Sequence, residues 1–217
     1  MLFELFDPNR ETTVREGGNL PHWYQAGVTY FVTFRTEDSI PAAAARLWHR
    51  RRDDWLRRHG VDVDGKNWKE ALHRLPRQVQ REFHETFSRE LLETLDRGMG
   101  ACLLRSTELA RTVADSLLHF DGDRYQMGDF VVMPNHVHLL VCLTAETAIE
   151  AQCYSWKKYS ATRINPGSGR TGRFWQEESF DHLVRTPEQL DAIRRYIAAN
   201  PRHAGLAPGE YLHYVKQ

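Results

Sequence analysis

The sequence predicts an α+β sandwich, an antiparallel sheet in a split βαβ arrangement carrying a helical insertion. Three observations predict it. Strand-like and helix-like segments follow one another as strand, helix, two strands, helix, short strand, helix. Residues 41–99 break that order with a change of character, crowding arginines and tryptophans into a helical pattern. The 217 residues are 41% hydrophobic and 27% charged, ordinary globular composition that excludes disorder and fibrous repeats. The expected organisation is one domain over 1–217, with an N-terminal arm to about residue 25, the insertion at 41–99 and a core at 100–206.

Each element has its own signal. The first 25 or so residues are polar and punctuated by Gly17, Gly18 and Pro21, so they read as an extended arm. Val28 to Phe34 is β-branched and aromatic, a strand. Within the insertion, arginines surround Trp48 and Trp55, and Val79, Phe83, Phe87, Leu91 and Leu95 recur every fourth residue. That pattern predicts two long helices around a looser 60–75 segment. Ser106 is placed to cap the next helix, whose buried stripe is Leu109, Val113 and Leu117 and whose end is Asp121-Gly122-Asp123. Two strands follow, Tyr125 to Met133 and Val137 to Leu143, parted by Pro134-Asn135. A helix is expected from Glu146 to Ile164, and residues 165–172 hold enough glycine to read as a mobile loop. Phe180 to Arg185 is a short fourth strand. The last helix covers 187–199, with Pro187 at its start and Pro201 just past its end. Without the insertion, this order is that of a ferredoxin-like sandwich.

Lysine plus arginine and aspartate plus glutamate both total 29, so the net charge is zero and a uniformly basic coat is excluded. Local basic patches remain open. Cys102, Cys142 and Cys153 form no C-x-x-C pair and fit a reducing cytoplasm better than a disulfide scaffold. No apolar run approaches the roughly 18 residues of a membrane span, and the start lacks a signal-peptide core, so a soluble, cytoplasmic protein is expected.

Three segments can carry chemistry. In Met133-Pro-Asn-His-Val-His-Leu-Leu-Val141, His136 and His138 alternate along a strand and project to one side, roughly 7 Å apart. Two imidazoles at that spacing can converge on one divalent metal or can be a packed pair; spacing alone does not choose. In Arg194-Arg-Tyr-Ile-Ala-Ala-Asn-Pro201, Tyr196 and Asn200 share a helix face, where a core aromatic and a C-cap are the usual reading. Lys157, Lys158, Arg163, Arg170 and Arg173 occur with no acid between them and lead into Phe174-Trp175-Gln176. Cations beside an aromatic suit backbone phosphates and base stacking, and equally suit a solvated face with an anchoring tryptophan.

Together these segments resemble the REP-associated tyrosine transposases of the HUH superfamily of single-strand DNA endonucleases. The resemblance runs through His22-Trp-Tyr24, Tyr30 to Arg35, Phe130 to Val141, Gly172 to Gln176 with Asp181-His182, and Tyr196 to Leu206. It implies that His136 and His138 bind a divalent metal, magnesium or manganese, with Asn200 completing the site, and that Tyr196 is the nucleophile. Tyr159 is the competing tyrosine. It implies cleavage and strand transfer at hairpin-forming repeats through a 5′-phosphotyrosine. The partner would be single-stranded or hairpin DNA of the repetitive extragenic palindrome type, bound by a monomer or homodimer in a nucleoid-associated, bacterial-type setting. Lys157, Lys158, Arg163, Arg170, Arg173, Trp175, Gln176, Arg194 and Arg195 are the DNA-binding candidates. A domesticated repeat-binding module with little cleavage is the alternative, and a phosphodiesterase using water is a third class.

Overall fold

The computed structural model describes residues 3–15, 22–64, 68–169 and 172–216. In chain order its strands are β1 (Thr13–Arg15), β2 (His22–Tyr24), β3 (Thr29–Arg35), β4 (Tyr125–Val132), β5 (His136–Leu143), β6 (Phe180–Leu183) and β7 (Leu212–Tyr214). The helices are α1 (Ala42–Arg58), α2 (Trp68–Arg74), α3 (Arg77–Phe83), α4 (Arg89–Asp96), α5 (Thr107–Leu118), α6 (Ile149–Ser168) and α7 (Pro187–His203). The chain divides into two compact units, residues 1–39 with 101–217, and residues 40–100.

The first unit is built on a five-stranded antiparallel sheet in the order β6-β3-β5-β4-β7. Reading β3, β4, β5 and β6 as the four strands of a split βαβ unit, with α5 and α6 as its crossovers, reproduces the ferredoxin-like order. β7, which the sequence reading missed, extends the sheet beyond β4; at three residues it is too short to show a period. β1 and β2 form a separate two-stranded ribbon within the expected arm.

Alternation along β5 sorts the two faces of the sheet. Val137, Leu139 and Val141 join Val113 and Leu117 of α5 and Cys153, Trp156 and Ile164 of α6 in the larger core. On the opposite face Leu140 packs with Phe31, Val131 and Met133 against Ile193 and Ile197 of α7. His136 and His138 share the Leu140 face. The sheet therefore separates an α5/α6 layer from an α7 layer, and the histidines lie on the α7 side.

Two helix ends differ from expectation. α6 continues through Pro166 to Ser168 and stops at Gly169, which takes the left-handed φ of 65°. α7 runs through Pro201 to His203. Each proline sits in a last turn, so it removes only one hydrogen bond where carbonyl partners are already running out. Thr186 caps the start of α7, its hydroxyl accepting from Gln189 N–H at 3.1 Å.

The second unit has its own core of Trp55, Leu56, Val61, Leu72, Phe83 and Phe87. Arg52 lies against the rings of Trp48 and Trp68, at 5.5 and 4.8 Å. The expected second long helix is α3 and α4 joined by a π-helical turn at His84–Ser88, and the expected loose segment contains α2. A four-residue repeat outruns the 3.6-residue period, and the wider π turn keeps Phe83 and Phe87 facing inward together.

Candidate active site

The site begins at the turn that launches β5. Met133 N–H donates to His136 O at 2.8 Å, Thr36 N–H to Asn135 O at 2.8 Å, and Leu104 N–H to Pro134 O at 3.1 Å. Pinned from three sides, this turn aims both histidines at the α7 layer. Their rings are fully buried, with centroids 4.6 Å apart and planes at 74°.

Each imidazole is oriented by a buried polar partner. His136 Nδ1 lies 2.7 Å from Asn135 Oδ1, and an amide oxygen only accepts, so Nδ1 carries the proton and Nε2 the lone pair. His138 Nδ1 lies 2.7 Å from Thr33 Oγ1, and its Nε2 lies 3.3 Å from the hydroxyl of Tyr196. Burial pushes the His136 pKa down to about 3. Burial, reinforced by the neighbouring His136, holds His138 well below the ordinary imidazole value. Both rings are neutral near pH 7, as metal ligands must be.

α7 supplies the rest. Tyr196 meets the His138 ring at a centroid distance of 5.1 Å, and Phe31 packs against both. One turn later Asn200 is fully buried, and neither its Oδ1 nor its Nδ2 has a hydrogen-bond partner. A buried amide left unsatisfied is costly, so both atoms call for a partner, a water or a ligand. Arg35 pairs across the sheet with His136, placing a guanidinium on the histidine face; its Nη1 bonds Ser39 Oγ at 3.1 Å, and burial lowers its pKa. The structure thus brings His136, His138 and Tyr196 into contact and sets Asn200 on the same helix as the tyrosine.

Tyr159 is on α6, across the sheet from the histidines. It is therefore in the wrong layer to act on anything they hold.

The basic run does not stay together as one surface. Lys157 is buried and donates to Gln176 O, at 3.2 Å, and to Glu177 O. Trp175 is buried against Phe34, and its indole N–H donates to Ser160 Oγ at 2.9 Å. Both were expected at DNA; their polar atoms are instead used to tie the 174–177 segment to α6, because each offers more by packing than by exposure. Gln176 donates from Nε2 to Glu37 O at 3.0 Å. Arg173 is exposed and pairs with Glu177 at 2.8 Å. Lys158 and Arg163 are exposed on α6, Arg195 is exposed on α7, and Arg194 lies 3.7 Å from Asp129. Arg170 lies outside the described residues.

Thr33, Asn135 and Arg35 were not singled out from sequence. Asn135 had a signal in its position directly before His136. The roles of Thr33 and Arg35 depend on the β3–β5 register, which no local pattern reports.

Residues 116–200 match the family model described as "Transposase IS200 like". Among solved structures, a REP-associated tyrosine transposase bound to a REP hairpin is 15% identical, with a TM-score of 0.49, over 93% of this chain and 94% of that one. A candidate transposase from Deinococcus radiodurans R1 is 16% identical, with a TM-score of 0.36, over 86% of this chain and 97% of that one. A search of curated proteins finds no match. The matched segment is the one that bears His136, His138, Tyr196 and Asn200.

Proposed function

We propose that this protein is a single-strand DNA endonuclease and strand transferase acting at hairpin-forming repeats, with Tyr196 as its nucleophile. The observation that carries the reading is the 3.3 Å approach of the Tyr196 hydroxyl to His138 Nε2, inside a segment of IS200-like transposase type. A divalent ion, magnesium or manganese, fits the donor set. Two neutral imidazoles are oriented by Asn135 and Thr33, and the buried Asn200 amide has no partner of its own. His136, His138 and Asn200 would hold such an ion, which would supply polarisation of a phosphate oxygen and offset the charge that builds there.

The remaining chemistry belongs to the chain. A tyrosine hydroxyl, with a reference pKa near 10, is a weak nucleophile until it is positioned. α7 positions it, since nucleophile and Asn200 ride on one rigid helix braced by Ile193 and Ile197. Attack of Tyr196 Oη on phosphorus forms a 5′-phosphotyrosine and breaks the bond to the 3′ oxygen. The phenol gives up its proton and the departing 3′ oxygen takes one. A second 3′ hydroxyl reverses the step and joins a new strand without added energy. Arg35 and the exposed Arg195 supply positive charge on the same side of the sheet, suited to the flanking phosphates.

The test is a trapped covalent adduct on single-stranded DNA that carries a hairpin. Wild type with manganese should give an adduct mapping to the Tyr196 peptide. Tyr196→Phe should give none, and His136→Ala or His138→Ala should reduce adduct formation at least a hundredfold while the protein stays folded. Binding without any adduct identifies a repeat-binding module, and cleavage without an adduct a phosphodiesterase that uses water. Either result overturns the proposal.

A further inference from the structure

The layer of the first unit that faces away from the histidines carries two exposed tyrosine rings, each with a cation against it. On α6 the Tyr159 ring is 38% exposed, and the Arg163 guanidinium lies 4.4 Å from its centroid. Tyr154, 62% exposed, has the Lys158 ammonium 5.6 Å from its centroid. Just past the end of α5 the ring of the exposed His119 lies nearly parallel to Tyr159, at 17° and a centroid distance of 6.3 Å. Its neighbour Phe120 has the Arg124 guanidinium 3.7 Å from its centroid.

An exposed ring is costly to leave in water, and few large hydrophobic side chains are exposed in the described residues. Two of those few are the tyrosines of α6. Both sit one turn before a cation, within a sequence that has no acid from residue 151 to residue 176. Rings with flat faces suit any nucleobase, and the interleaved cations suit the phosphates between bases. A protein partner would not call for a cation on both exposed tyrosines, whereas a single strand presents bases and phosphates in alternation. Stacking on Arg163 itself is a further mode, since a guanidinium plane accepts a base as a ring does.

We infer that the His119–Tyr159–Arg163 stack, with Tyr154 and Lys158 beside it, is a binding surface for the unpaired bases of single-stranded DNA. It lies on the opposite side of the sheet from the cleavage site. The inference rests on the proposed action on DNA and adds to it a second contact area, in the layer that the nucleophile does not occupy. The stacking role expected of Trp175, which is buried, passes to the rings of α6.

The experiment is fluorescence anisotropy of the full chain with a labelled oligothymidine of about 20 nucleotides and with a paired duplex of the same length. Tyr159→Ala should weaken oligothymidine binding by roughly fivefold to a hundredfold, as expected for one lost base stack. It should leave the slope of log affinity against log salt unchanged, because no phosphate contact is lost. Tyr159→Phe keeps the ring and should bind as wild type. Arg163→Ala should reduce the slope by about 0.7. Duplex binding should be less sensitive to Tyr159→Ala, since paired bases are not available to stack. Oligothymidine affinity unchanged in Tyr159→Ala, as for a protein-binding face, overturns the inference. So does an equal loss in Tyr159→Phe, or an equal loss with duplex. Wild type is also assayed for the covalent adduct. If it forms the adduct while Tyr159→Ala binds normally, only this inference falls. If wild type neither binds nor forms an adduct, the reading as a DNA enzyme falls and takes the inference with it.

Discussion

One lone pair on His138 has two claimants. In the tautomer that directs Nδ1–H at Thr33 Oγ1, 2.7 Å away, Nε2 holds the lone pair that faces the Tyr196 hydroxyl at 3.3 Å, and a metal ion requires that same lone pair. A cation held at Nε2 would take the place of the hydrogen bond from the phenol. Removing the competing hydroxyl should therefore help the metal. Tyr196→Phe is expected to bind manganese about two- to tenfold more tightly than wild type in calorimetry, the worth of one neutral hydrogen bond. Weaker binding in the variant would make the tyrosine a ligand and refute the competition. Burial of the two imidazoles also fixes how stability depends on pH. Both are neutral in the fold, and in the unfolded chain they protonate near pH 6.5. Below that value the unfolded state binds protons that the folded state refuses. Stability is then fully present above about pH 6.5 and falls as pH drops, for His136 down towards its folded value of about 3. The slope reaches about 1.4 kcal/mol per pH unit for each histidine. Urea midpoints measured in chelator from pH 7.5 to 5 should fall, and His136→Gln should flatten the fall. A midpoint that stays level in wild type would mean that the rings are hydrated.

Elements differ in how openly the sequence displays them, and the differences have physical causes. β3, β4 and β5 are legible because apolar side chains, many of them β-branched or aromatic, dominate strands that are buried almost throughout. The H-x-H pair is legible because it interrupts such a run. The α7 helix is legible at its start, where Thr186 and Pro187 make a cap and a first turn, and illegible at its end, where Pro201 looks like a stop but falls in the last turn. α6 misled in the same way, since Pro166 and Gly167 look like loop until Gly169 ends the helix. The acid-free run from Lys157 to Arg173 reads as one basic surface only while its helical phase is ignored. Lys157 falls on the buried stripe with Cys153, Trp156, Ser160 and Ile164, and Lys158, one position on, falls outside it. A difference of one residue thus separates a buried ammonium that ties down a loop from one that faces solvent. The partners of the site were the least legible part. Thr33 reaches His138 only through the strand register, and a register depends on two segments about a hundred residues apart.

At the scale of the whole molecule, a neutral chain has weak long-range attraction for DNA, so affinity must come from local surfaces. The histidine site and the α6 rings both belong to the first unit. The helical unit is inserted between Ser39 and Ala101, and the two ends of that insertion are close together in the first unit. Asp38 Oδ2 accepts a hydrogen bond from Ala101 N–H at 3.0 Å. Among the described residues, neither of the first unit's two core clusters includes any residue of 40–100. A short glycine-serine linker of about four residues easily spans such a gap, and loop-closure entropy is smaller for four residues than for a long excursion. Replacing 40–100 by that linker should therefore leave a cooperatively folded protein. Its circular dichroism should lose helix in proportion to α1, α2, α3 and α4 and keep the strand signal. Its thermal unfolding should remain a single sharp transition, because the sheet and the α5, α6 and α7 layers keep their packing. The truncated chain should also still bind oligothymidine through α6. A broad, non-cooperative melt with exposed hydrophobic surface would show that the first unit cannot hold its fold without the inserted helices. Sharp unfolding combined with lost binding would place part of the single-strand contact on the inserted unit, whose α1 carries Arg46 and Arg50 on its exposed face.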